Sequence, residues 1–327
     1  MRIIFWGTPQ YSVNSLRGLI NSKHEVLAVI TQPDRKRSRG GKLTQSPVKE
    51  FAIKNNIPVL DPEKIKENKS FIEKLVSLNS DAFIVIAYGK ILPKQILEIP
   101  KHGSWNAHAS LLPKWRGAAP VQWALLSGDK FTGVGIMRME EGLDTGDILI
   151  EEKVEIQASD NSELLHEKLS QISSKLIINS LDIISKNKSI TTIRTIPQSV
   201  LNRPIKYARL LNKTDFKLDF NNSGIELERK VKGLYPNAYV TYLNKKLKIL
   251  EIKILNDEYI DKYKLPIATK QEIKPNKIIK IVKDEGFIVS TKTNPILIKK
   301  VKLEGKGIST NNKIIQQLNP ILGIEFQ

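Results

Sequence analysis

The opening of the chain alternates strand-like and helix-like patterns, and this order restricts the fold more than any other feature of the sequence. The apolar run Arg2–Trp6 ends at Gly-Thr-Pro, a helical pattern continues to about Ser22, and His24–Thr31 is a second apolar run. A strand–helix–strand order favours a parallel sheet. The first turn lacks the G-x-G-x-x-G spacing that brings a dinucleotide pyrophosphate close to the backbone, which counts against a dehydrogenase.

The same alternation continues to a long helical pattern at Ser162–Asn187, where the first predicted domain ends. The later predicted strands of this domain are Ile57–Leu60, Asp81–Ala87, Gly103–His108, Thr132–Met139 and Ile148–Ile156. Further helices are predicted from Pro47, over Pro62–Ser77 and over Gly117–Leu126. We therefore predict an α/β fold with a Rossmann-like parallel-sheet domain over residues 1–187.

A different pattern begins after a polar segment with two prolines, residues 188–205, which we interpret as a linker. Residues 206–327 contain a helical segment at Ser223–Leu234, capped by Ser223, and a terminal helical segment at Asn311–Leu318. Between them lie five short β-branched or alternating runs: Ala238–Leu243, Leu247–Leu255, Lys277–Lys283, Phe287–Thr291 and Ile296–Leu303. Five short strands predict a small β-barrel or sandwich as the second domain.

Composition excludes several classes of protein. The chain has no cysteine, which excludes disulfides and thiolate metal sites, and its four histidines lack metal-ligand spacing. No apolar run reaches the roughly 20 residues of a membrane span. The N-terminal residues lack the basic head, apolar middle and cleavage site of a secretory signal. We therefore expect a cytoplasmic protein with no bound metal and no membrane association, and we take a monomer as the default.

The net charge of +18 is unevenly distributed along the chain. Residues 1–190 carry a net charge of +5, whereas residues 191–327 carry +13. The stretch Thr31–Lys49 alone has six basic residues and one acidic residue. Such clustering is typical of a protein that binds a polyanion. A general richness in lysine, isoleucine and asparagine would also account for the excess in the C-terminal third.

Most of the basic residues in that stretch belong to residues 32–46, which show no periodicity. They are Arg35, Lys36, Arg37, Arg39 and Lys42, and two glycines and one proline accompany them. A loop of this length without regular structure is usually functional or disordered. We predict a loop that is mobile when free and becomes ordered against its partner.

The stretch His102–Asp147 combines polar side chains in a pattern that indicates catalysis. Asn106 and His108 lie two residues apart at the end of a predicted strand, so both side chains point to the same face. Asp144 follows in a glycine-rich loop after the next strand and can orient an imidazole. Because the motif offers no Ser or Cys nucleophile, the set suits attack by a substrate amine on an acyl carbon. Asn106 would stabilise the oxyanion and His108 would transfer the proton.

Purely structural roles would account for the same residues equally well if their spacing were the only information. A histidine at a strand end is more often a structural hydrogen-bonding residue. An aspartate in the sequence Gly-Leu-Asp-Thr-Gly-Asp is more often a turn former. Spacing alone therefore does not decide between a catalytic set and a structural one.

Longer motifs favour the catalytic interpretation. The segment NAHASLLPKWRGAAPVQWALLSGD, followed by MRMEEGLDTGD, closely resembles the methionyl-tRNA formyltransferase family. TQPDRKRSRGGKL, SPVK and AYGKILP match other parts of the family's pattern in the same order. The resemblance is specific over Arg2–Leu149 and looser through the C-terminal third. It implies that Asn106, His108 and Asp144 occupy the family's catalytic positions.

The resemblance also implies a formyl donor, an acceptor and the residues that bind them. The donor would be 10-formyltetrahydrofolate, and the acceptor would be initiator methionyl-tRNA. Ser110–Pro113 matches the family's folate-site signature, and the loops at Ile86–Ile91 and Met139–Asp144 would enclose the pterin. The implied folate contacts are Ile86, Ala87, Tyr88, Gly89, Ile91, Ser110, Leu111, Leu112, Pro113, Met139, Glu140, Gly142 and Leu143.

Binding of tRNA is implied for the basic loop and for the second domain. Arg39 takes the place of the family's loop arginine that contacts the acceptor end, with Arg37 and Lys42 as alternatives because the loop is more basic than usual. Arg35 and Lys36 complete the implied contacts. The second domain would be a β-barrel of the oligonucleotide-binding type that contacts the tRNA backbone.

Two other functions are compatible with parts of the sequence. A formyltransferase acting on a small amine, either a phosphoribosylglycinamide or an amino-sugar nucleotide, would use the same central motif. The former needs no second domain, and the latter is expected to bring another α/β domain, which is not apparent after Lys206. A nucleic-acid-binding protein on a degenerate folate-enzyme fold is the other alternative. The intact Asn106, His108 and Asp144 argue against it.

Overall fold

The computed structural model describes residues 1–37, 42–265 and 274–326, and the chain divides into two compact units. The first unit comprises Met1–Val121, Lys130–Ile156 and Leu165–Leu210, and the second comprises Gln122–Asp129, Gln157–Leu164 and Leu211–Gln327. Within the described ranges, no helix combines the length and the apolar character that a membrane span requires.

Short strands and helices alternate along the first unit. Its strands are β1 (Arg2–Gly7), β2 (Glu25–Ile30), β3 (Arg35–Arg37), β4 (Lys42–Thr44), β5 (Val59–Leu60), β6 (Ala82–Ile86), β7 (Ser104–His108), β8 (Arg116–Gly117), β9 (Phe131–Arg138), β10 (Ile148–Glu155) and β11 (Tyr207–Ala208). Its helices are α1 (Gln10–Ile20), α2 (Pro47–Lys54), α3 (Lys69–Ser77) and α4 (Lys94–Leu97), while α5 (Pro120–Leu126) and α6 (Ser162–Ser185) have residues in both units. Short 3-10 turns follow at Ile190–Thr192 and Gln198–Val200.

Seven strands of the first unit form one sheet in the order β10-β9-β7-β6-β1-β2-β5. Strands β7, β6, β1, β2 and β5 run parallel, and β9 and β10 continue the sheet antiparallel at one edge. The chain builds outward from β1 on one side and then crosses to β6 and β7 on the other, so the strand order reverses between β1 and β6. Ligands of open α/β sheets bind outside the carboxyl ends of the strands at such a point.

The apolar runs of the sequence become the buried centre of this sheet. Every residue of β6 is buried, and in β1 only Arg2 is exposed. Strands covered on both faces read as continuous apolar runs, which is why the sequence predicted them well. The ring of Trp6 packs edge-on against Phe71 and Tyr88, with centroids 6.1 and 5.2 Å away.

The helix predicted over Pro62–Ser77 begins only at Lys69, so the prediction is wrong for the residues before it. Asn68 caps the observed helix, because its side chain accepts a hydrogen bond from the backbone N–H of Phe71. Glu67 has a φ of 62°, outside the right-handed helical region. The polar residues between Pro62 and Asn68 match a helical pattern in the sequence, but they precede the N-cap and lie outside the helix.

Part of the basic stretch 32–46 is paired rather than irregular, which corrects the sequence prediction. Strand β3 pairs antiparallel with β4, with Arg35 opposite Thr44. Lys49 holds the base of this hairpin, since its ammonium group lies 3.0 Å from Asp34 Oδ1 and 2.7 Å from Asp61 Oδ2. The hydrogen bond to Asp61 is the main cause that raises the pKa of Lys49. Strands of three residues are too short to give a periodic signal.

The second unit is built on an antiparallel sheet. Its strands are β12 (Tyr239–Tyr242), β13 (Lys245–Ile254), β14 (Ile278–Val282), β15 (Gly286–Val289), β16 (Ile296–Leu303) and β17 (Ile308–Thr310), and its helices are α7 (Gly224–Gly233), α8 (Asp257–Lys262) and α9 (Asn312–Leu318). The order is β12-β13-β16-β15-β14, with β17 paired to β16. The five strands predicted here are confirmed, and the prediction missed β17.

The core of the second unit includes Phe326, whose ring lies 5.1 Å from Phe220 and 5.6 Å from Tyr242. Helix α7 begins with the predicted cap: the Ser223 hydroxyl accepts from the backbone N–H of Glu226, and the Glu226 carboxylate accepts from the backbone N–H of Ser223. The predicted Rossmann-like parallel-sheet domain followed by a smaller β domain is confirmed, and the described strands of the second unit form an antiparallel sheet. The closure of these strands into a barrel stays a prediction.

Candidate active site

Strand β7 places Asn106 and His108 on the same face of the parallel sheet. Asn106 pairs with Val85 of β6 on one side and Met137 of β9 on the other, and His108 lies opposite Gly135. Asn106 is half-buried and His108 is 5% exposed. Among the described residues the Asn106 amide has no hydrogen-bond partner, so both of its N–H groups are available to a ligand.

The imidazole of His108 is hydrogen-bonded at one nitrogen, and its other nitrogen faces a carboxylate. Its Nε2 lies 2.8 Å from the carbonyl oxygen of Trp115. Because a carbonyl oxygen can only accept, Nε2 donates and carries the proton of the neutral ring. Its Nδ1 lies 3.6 Å from Asp144 Oδ2. The nitrogen that is free to take up a proton therefore faces a carboxylate.

The loop after β9 brings Asp144 to this position and has a fixed shape. Asp144 has a φ of 50°, in the left-handed region. Its Oδ2 accepts a hydrogen bond of 2.7 Å from the backbone N–H of Gly117. A Cβ on Gly146 would lie 1.8 Å from the carbonyl oxygen of Arg138, so only glycine fits there.

Gly117 belongs to a short strand pair rather than to the helix that the sequence predicted. Strand β8 pairs parallel with β11, with Arg116 opposite Tyr207 and Gly117 opposite Ala208. Helix α5 accordingly begins at Pro120. The pairing directs the Gly117 N–H at Asp144, so the backbone of the stretch His102–Asp147 itself contributes to the candidate site.

The segment interpreted as a linker carries a site residue that the sequence analysis missed. Gln198 is buried, and its Nε2 lies 2.8 Å from the carbonyl oxygens of both Asp144 and Gly146. Its Oε1 accepts two hydrogen bonds from the guanidinium of Arg116. These partners are between 52 and 82 residues distant in sequence, so no local pattern reveals them.

A cavity of about 220 Å³ opens at the carboxyl ends of β1, β2 and β6, where the strand order reverses. Its walls come from the turns after these strands and from the β3–β4 hairpin, and they are Thr8, Pro9, Gln32, Pro33, Arg35, Thr44, Ser46, Ala87, Tyr88 and Gly89. Gln32 is 5% exposed and donates from Nε2 to the carbonyl oxygen of Tyr88. Within the described ranges its Oε1 has no partner.

The two loops expected to enclose the pterin expose apolar side chains. Ile91 is 81% exposed and Leu143 is 56% exposed. Single exposed apolar side chains are common on protein surfaces, so these two allow a ligand contact but do not by themselves indicate one. In the same loops Ala87, Gly89, Glu140 and Gly142 are exposed, Met139 is half-buried, and Ile86 and Tyr88 are buried.

The folate-site signature is mostly internal. Leu112 is fully buried and packs against Met137 and Ile148, while Pro113 is also buried and Leu111 is half-buried. The Ser110 hydroxyl donates to the carbonyl oxygen of Lys114 at 2.5 Å. In this geometry Ser110 and Leu112 support the turn before Trp115 rather than present side chains to a ligand.

Of the predicted basic contacts, the exposed Arg35 lines the cavity. Lys36, Arg37 and Lys42 are placed by their backbone in β3 and β4. Arg39 lies outside the described residues.

Comparison with known proteins covers nearly the whole chain. Residues 1–181 match the family described as Formyl transferase, and residues 210–319 match Formyl transferase, C-terminal domain. A Prochlorococcus marinus protein (strain MIT 9312) named methionyl-tRNA formyltransferase is 55% identical over 99% of this chain and 98% of its own length. A protein of the same name from Synechococcus sp. (strain CC9902) is 42% identical over 100% of this chain and 99% of its own.

A similar fold occurs in a solved structure with a different acceptor. The sugar 3N-formyltransferase WlaRD, solved with dTDP and 5-N-formyl-tetrahydrofolate, has a TM-score of 0.62 at 19% identity. The likeness covers 94% of this chain and 99% of that chain. At this identity it shows the fold alone.

Proposed function

This chain belongs to the formyl transferase family, and we propose that it transfers the formyl group of 10-formyltetrahydrofolate to the α-amino group of methionine on initiator tRNA. The product, formylmethionyl-tRNA, serves translation initiation. The observation that carries this function is the 55% identity, over 99% of the chain, to a relative named methionyl-tRNA formyltransferase. A cytoplasmic monomer is the form we expect for this activity.

The small-amine alternative is weaker, but for a different reason than the sequence suggested. The likeness to a sugar 3N-formyltransferase extends over 94% of this chain, so the second unit does not exclude a sugar acceptor. Identity separates the two functions: 19% to the sugar enzyme and 55% to the methionyl-tRNA enzyme. The higher overall identity therefore favours tRNA as the acceptor, on a fold that both classes share.

The folate is a substrate, and its place is supported by the loops after β6 and β9. Exposed Ile91 and Leu143 offer apolar surface to a flat pterin ring. Ala87 and Gly89 have φ values of 46° and 86°, so the chain turns sharply there with little side-chain bulk. We place the pterin against these loops, and the bound folate supplies the formyl carbon that the amine attacks.

Asn106 is suited to stabilise the oxygen of the formyl group during attack. Its amide donors have no partner among the described residues, and the strand fixes its position beside His108. A preorganised donor of this kind contributes on the order of 10²–10³ in rate. As the amine nitrogen bonds to the formyl carbon, negative charge develops on the formyl oxygen and the Asn106 amide donates to it.

His108 and Asp144 are suited to move the proton that the attacking amine loses. A free α-amino group has a pKa of about 7.7–8.0, so it needs little activation. The open Nδ1 of His108 accepts the proton, and the resulting imidazolium donates to Trp115 from Nε2 and faces Asp144 at Nδ1. The same proton then goes to the folate nitrogen as its bond to the formyl carbon breaks.

The cavity beneath the β3–β4 hairpin is the place we assign to the aminoacylated end of the tRNA. It lies at the carboxyl ends of the strands, and Arg35 contributes a positive charge to its wall. Gln32 Oε1, which has no partner among the described residues, offers an acceptor for an N–H or O–H group of the ligand. The remaining basic residues of the hairpin would contact phosphates.

Substitution of single basic residues of the stretch 32–46 should separate binding of the acceptor from binding of the donor. Arg39→Ala is expected to raise KM for the tRNA about tenfold, because one phosphate contact is lost, while folate binding remains unchanged. Arg37→Ala and Lys42→Ala, measured beside it by steady-state kinetics, show which basic residue dominates. Lys54→Ala, an exposed lysine at the end of α2, is the matched control. Equal losses of folate and tRNA binding would mean that the basic stretch 32–46 is only structural.

The deciding experiment is a formyl-transfer assay with 10-formyltetrahydrofolate. Methionine-charged initiator tRNA, uncharged initiator tRNA, free methionine and a dTDP-amino sugar are offered as acceptors in parallel. We expect product only with the charged tRNA. Product with the amino sugar and none with the charged tRNA would replace this function with the small-amine alternative.

A further inference from the structure

Gln198 connects the segment after α6 to the loop that carries Asp144, and all of its hydrogen-bonding capacity is used. The Nε2 atom donates to the carbonyl oxygens of Asp144 and Gly146 at 2.8 Å each. The Oε1 atom accepts from Nε and Nη2 of Arg116 at 3.1 and 2.7 Å. The side chain is 4% exposed, so water does not compete for these bonds.

We propose that Gln198 is a positioning residue that holds Asp144 in the geometry needed for formyl transfer, and that Arg116 orients Gln198. The inference rests on the proposed function of the site. Asp144 is in the left-handed region, and a residue there keeps its conformation only when its surroundings fix it. The two hydrogen bonds from Gln198 go to the carbonyl oxygens of the residues on either side of Thr145. One of these residues is Asp144, whose carboxylate faces His108.

The arrangement requires an amide and not merely a side chain of this size. The guanidinium of Arg116 can only donate, so it must face the oxygen of Gln198. The nitrogen is then directed at the two carbonyl oxygens. A glutamate would keep the bonds to Arg116 but would place its second oxygen against those carbonyls. A methionine would fill the space without either set of bonds.

Other contacts keep the segment in place without Gln198. The hydroxyl of Thr195 donates to Asp147 Oδ2 at 2.9 Å, and Ile196 exchanges two backbone hydrogen bonds with Ile148. Arg203 forms an ion pair with Glu151 and donates to the carbonyl oxygen of Leu112. Replacement of Gln198 should therefore loosen the Asp144 loop and leave the fold intact.

The first test compares Gln198→Glu and Gln198→Met with the natural protein. Both variants are expected to lower kcat about 10- to 100-fold, as a misplaced catalytic group does, while KM for folate and for tRNA stays within about threefold. Gln171→Met, an exposed glutamine of α6 that bonds to Glu167, is the matched control and should behave as the natural protein. A kcat within twofold of the natural value in both variants would overturn the proposal.

Two further measurements separate positioning from general stability. Backbone amide hydrogen exchange should rise over residues 144–147 in Gln198→Met and remain unchanged in the β1 and β6 strands. Arg116→Ala should lower kcat by a similar factor, and the double variant with Gln198→Met should lower it no further, because both act through one contact. A positioning role would be contradicted if the losses in kcat of the two single variants multiplied in the double variant, or if amide exchange became faster throughout the first unit.

The experiments distinguish a wrong role for Gln198 from a wrong proposed function. If the natural protein does not formylate charged tRNA, the proposed function is wrong, yet the exchange measurement still tests whether Gln198 holds the loop. Arg116→Ala carries the kinetic test if a Gln198 variant does not fold, because Arg116 is only half-buried.

Discussion

His108→Ala and Asn106→Ala are each expected to lower the single-turnover rate of formyl transfer by at least about 100-fold. In the proposed mechanism, the first change removes the nitrogen that accepts the amine proton, and the second removes the donor for the developing oxyanion. Asn106 is half-buried and His108 is one buried polar side chain, so the loss of packing is limited and folding should be little affected. The loss of one buried hydrogen bond from His108 to Trp115 predicts a Tm lowered by only about 2–4 °C.

Matched controls keep this expectation specific to the site. His166→Ala replaces a half-buried histidine of α6, and Asn55→Ala replaces an exposed asparagine at the end of α2. Both should retain the natural rate. Single-turnover measurement at saturating folate and charged tRNA isolates the chemical step from product release. Near-full activity of either site variant would show that the roles assigned to Asn106 and His108 are wrong.

The sequence predicted the fold best where a single physical cause produces the pattern. Strands β1, β6 and β16 are buried by packing, and each appeared as a run of apolar or alternating residues. Helix α7 was found from its cap, because Ser223 and Glu226 satisfy each other's backbone N–H groups locally. Such features depend on neighbours within a few residues, which a sequence displays directly.

Elements that depend on distant partners were missed or misplaced. Strand β8 exists because Arg116 and Gly117 pair with residues 207–208, whereas the sequence predicted that a helix begins at Gly117. The β3–β4 hairpin is fixed at its base by Asp34, Lys49 and Asp61, none of which lies in its strands. Tertiary contacts override local propensity at these points.

The candidate site shows the same division. The spacing of Asn106 and His108 correctly predicts that they share a face, because strand alternation is local. The prediction that Asp144 lies beside His108 depended on the resemblance to a family, because the residues of a loop do not themselves determine which distant side chain the loop will contact. Gln198 had no signal at all: its four hydrogen bonds go to residues 52–82 positions away.

Use of tRNA is expected to weaken steeply as salt is raised. With about three phosphate contacts, kcat/KM for charged tRNA should fall roughly 15- to 60-fold between about 50 and 200 mM salt, because bound counterions are released on association. The folate lacks a polyanionic backbone, so its KM provides the internal control. A slope near zero in a plot of log kcat/KM against log salt would show that the basic regions do not bind the tRNA electrostatically.

A pair of opposed lysines in the second unit should affect both the salt dependence of tRNA use and the stability of the fold. Lys248 on β13 lies directly opposite Lys302 on β16. Burial, followed by the charges of Lys246 and Lys302, lowers the pKa of Lys248. Like charges placed opposite each other destabilise a sheet, so this pair has a cost to folding that a phosphate partner would offset.

Lys302→Gln should therefore change stability and tRNA use in opposite directions. Removing one of two opposed charges is expected to raise the Tm slightly and to reduce the salt slope by about one unit, as for the loss of one phosphate contact. Lys175→Gln, an exposed lysine of α6, should leave the slope unchanged. If both variants shift the slope equally, net charge alone attracts the tRNA. If only Lys302→Gln does so, the β13–β16 face contacts phosphate, and the repulsion within it is relieved only in the complex.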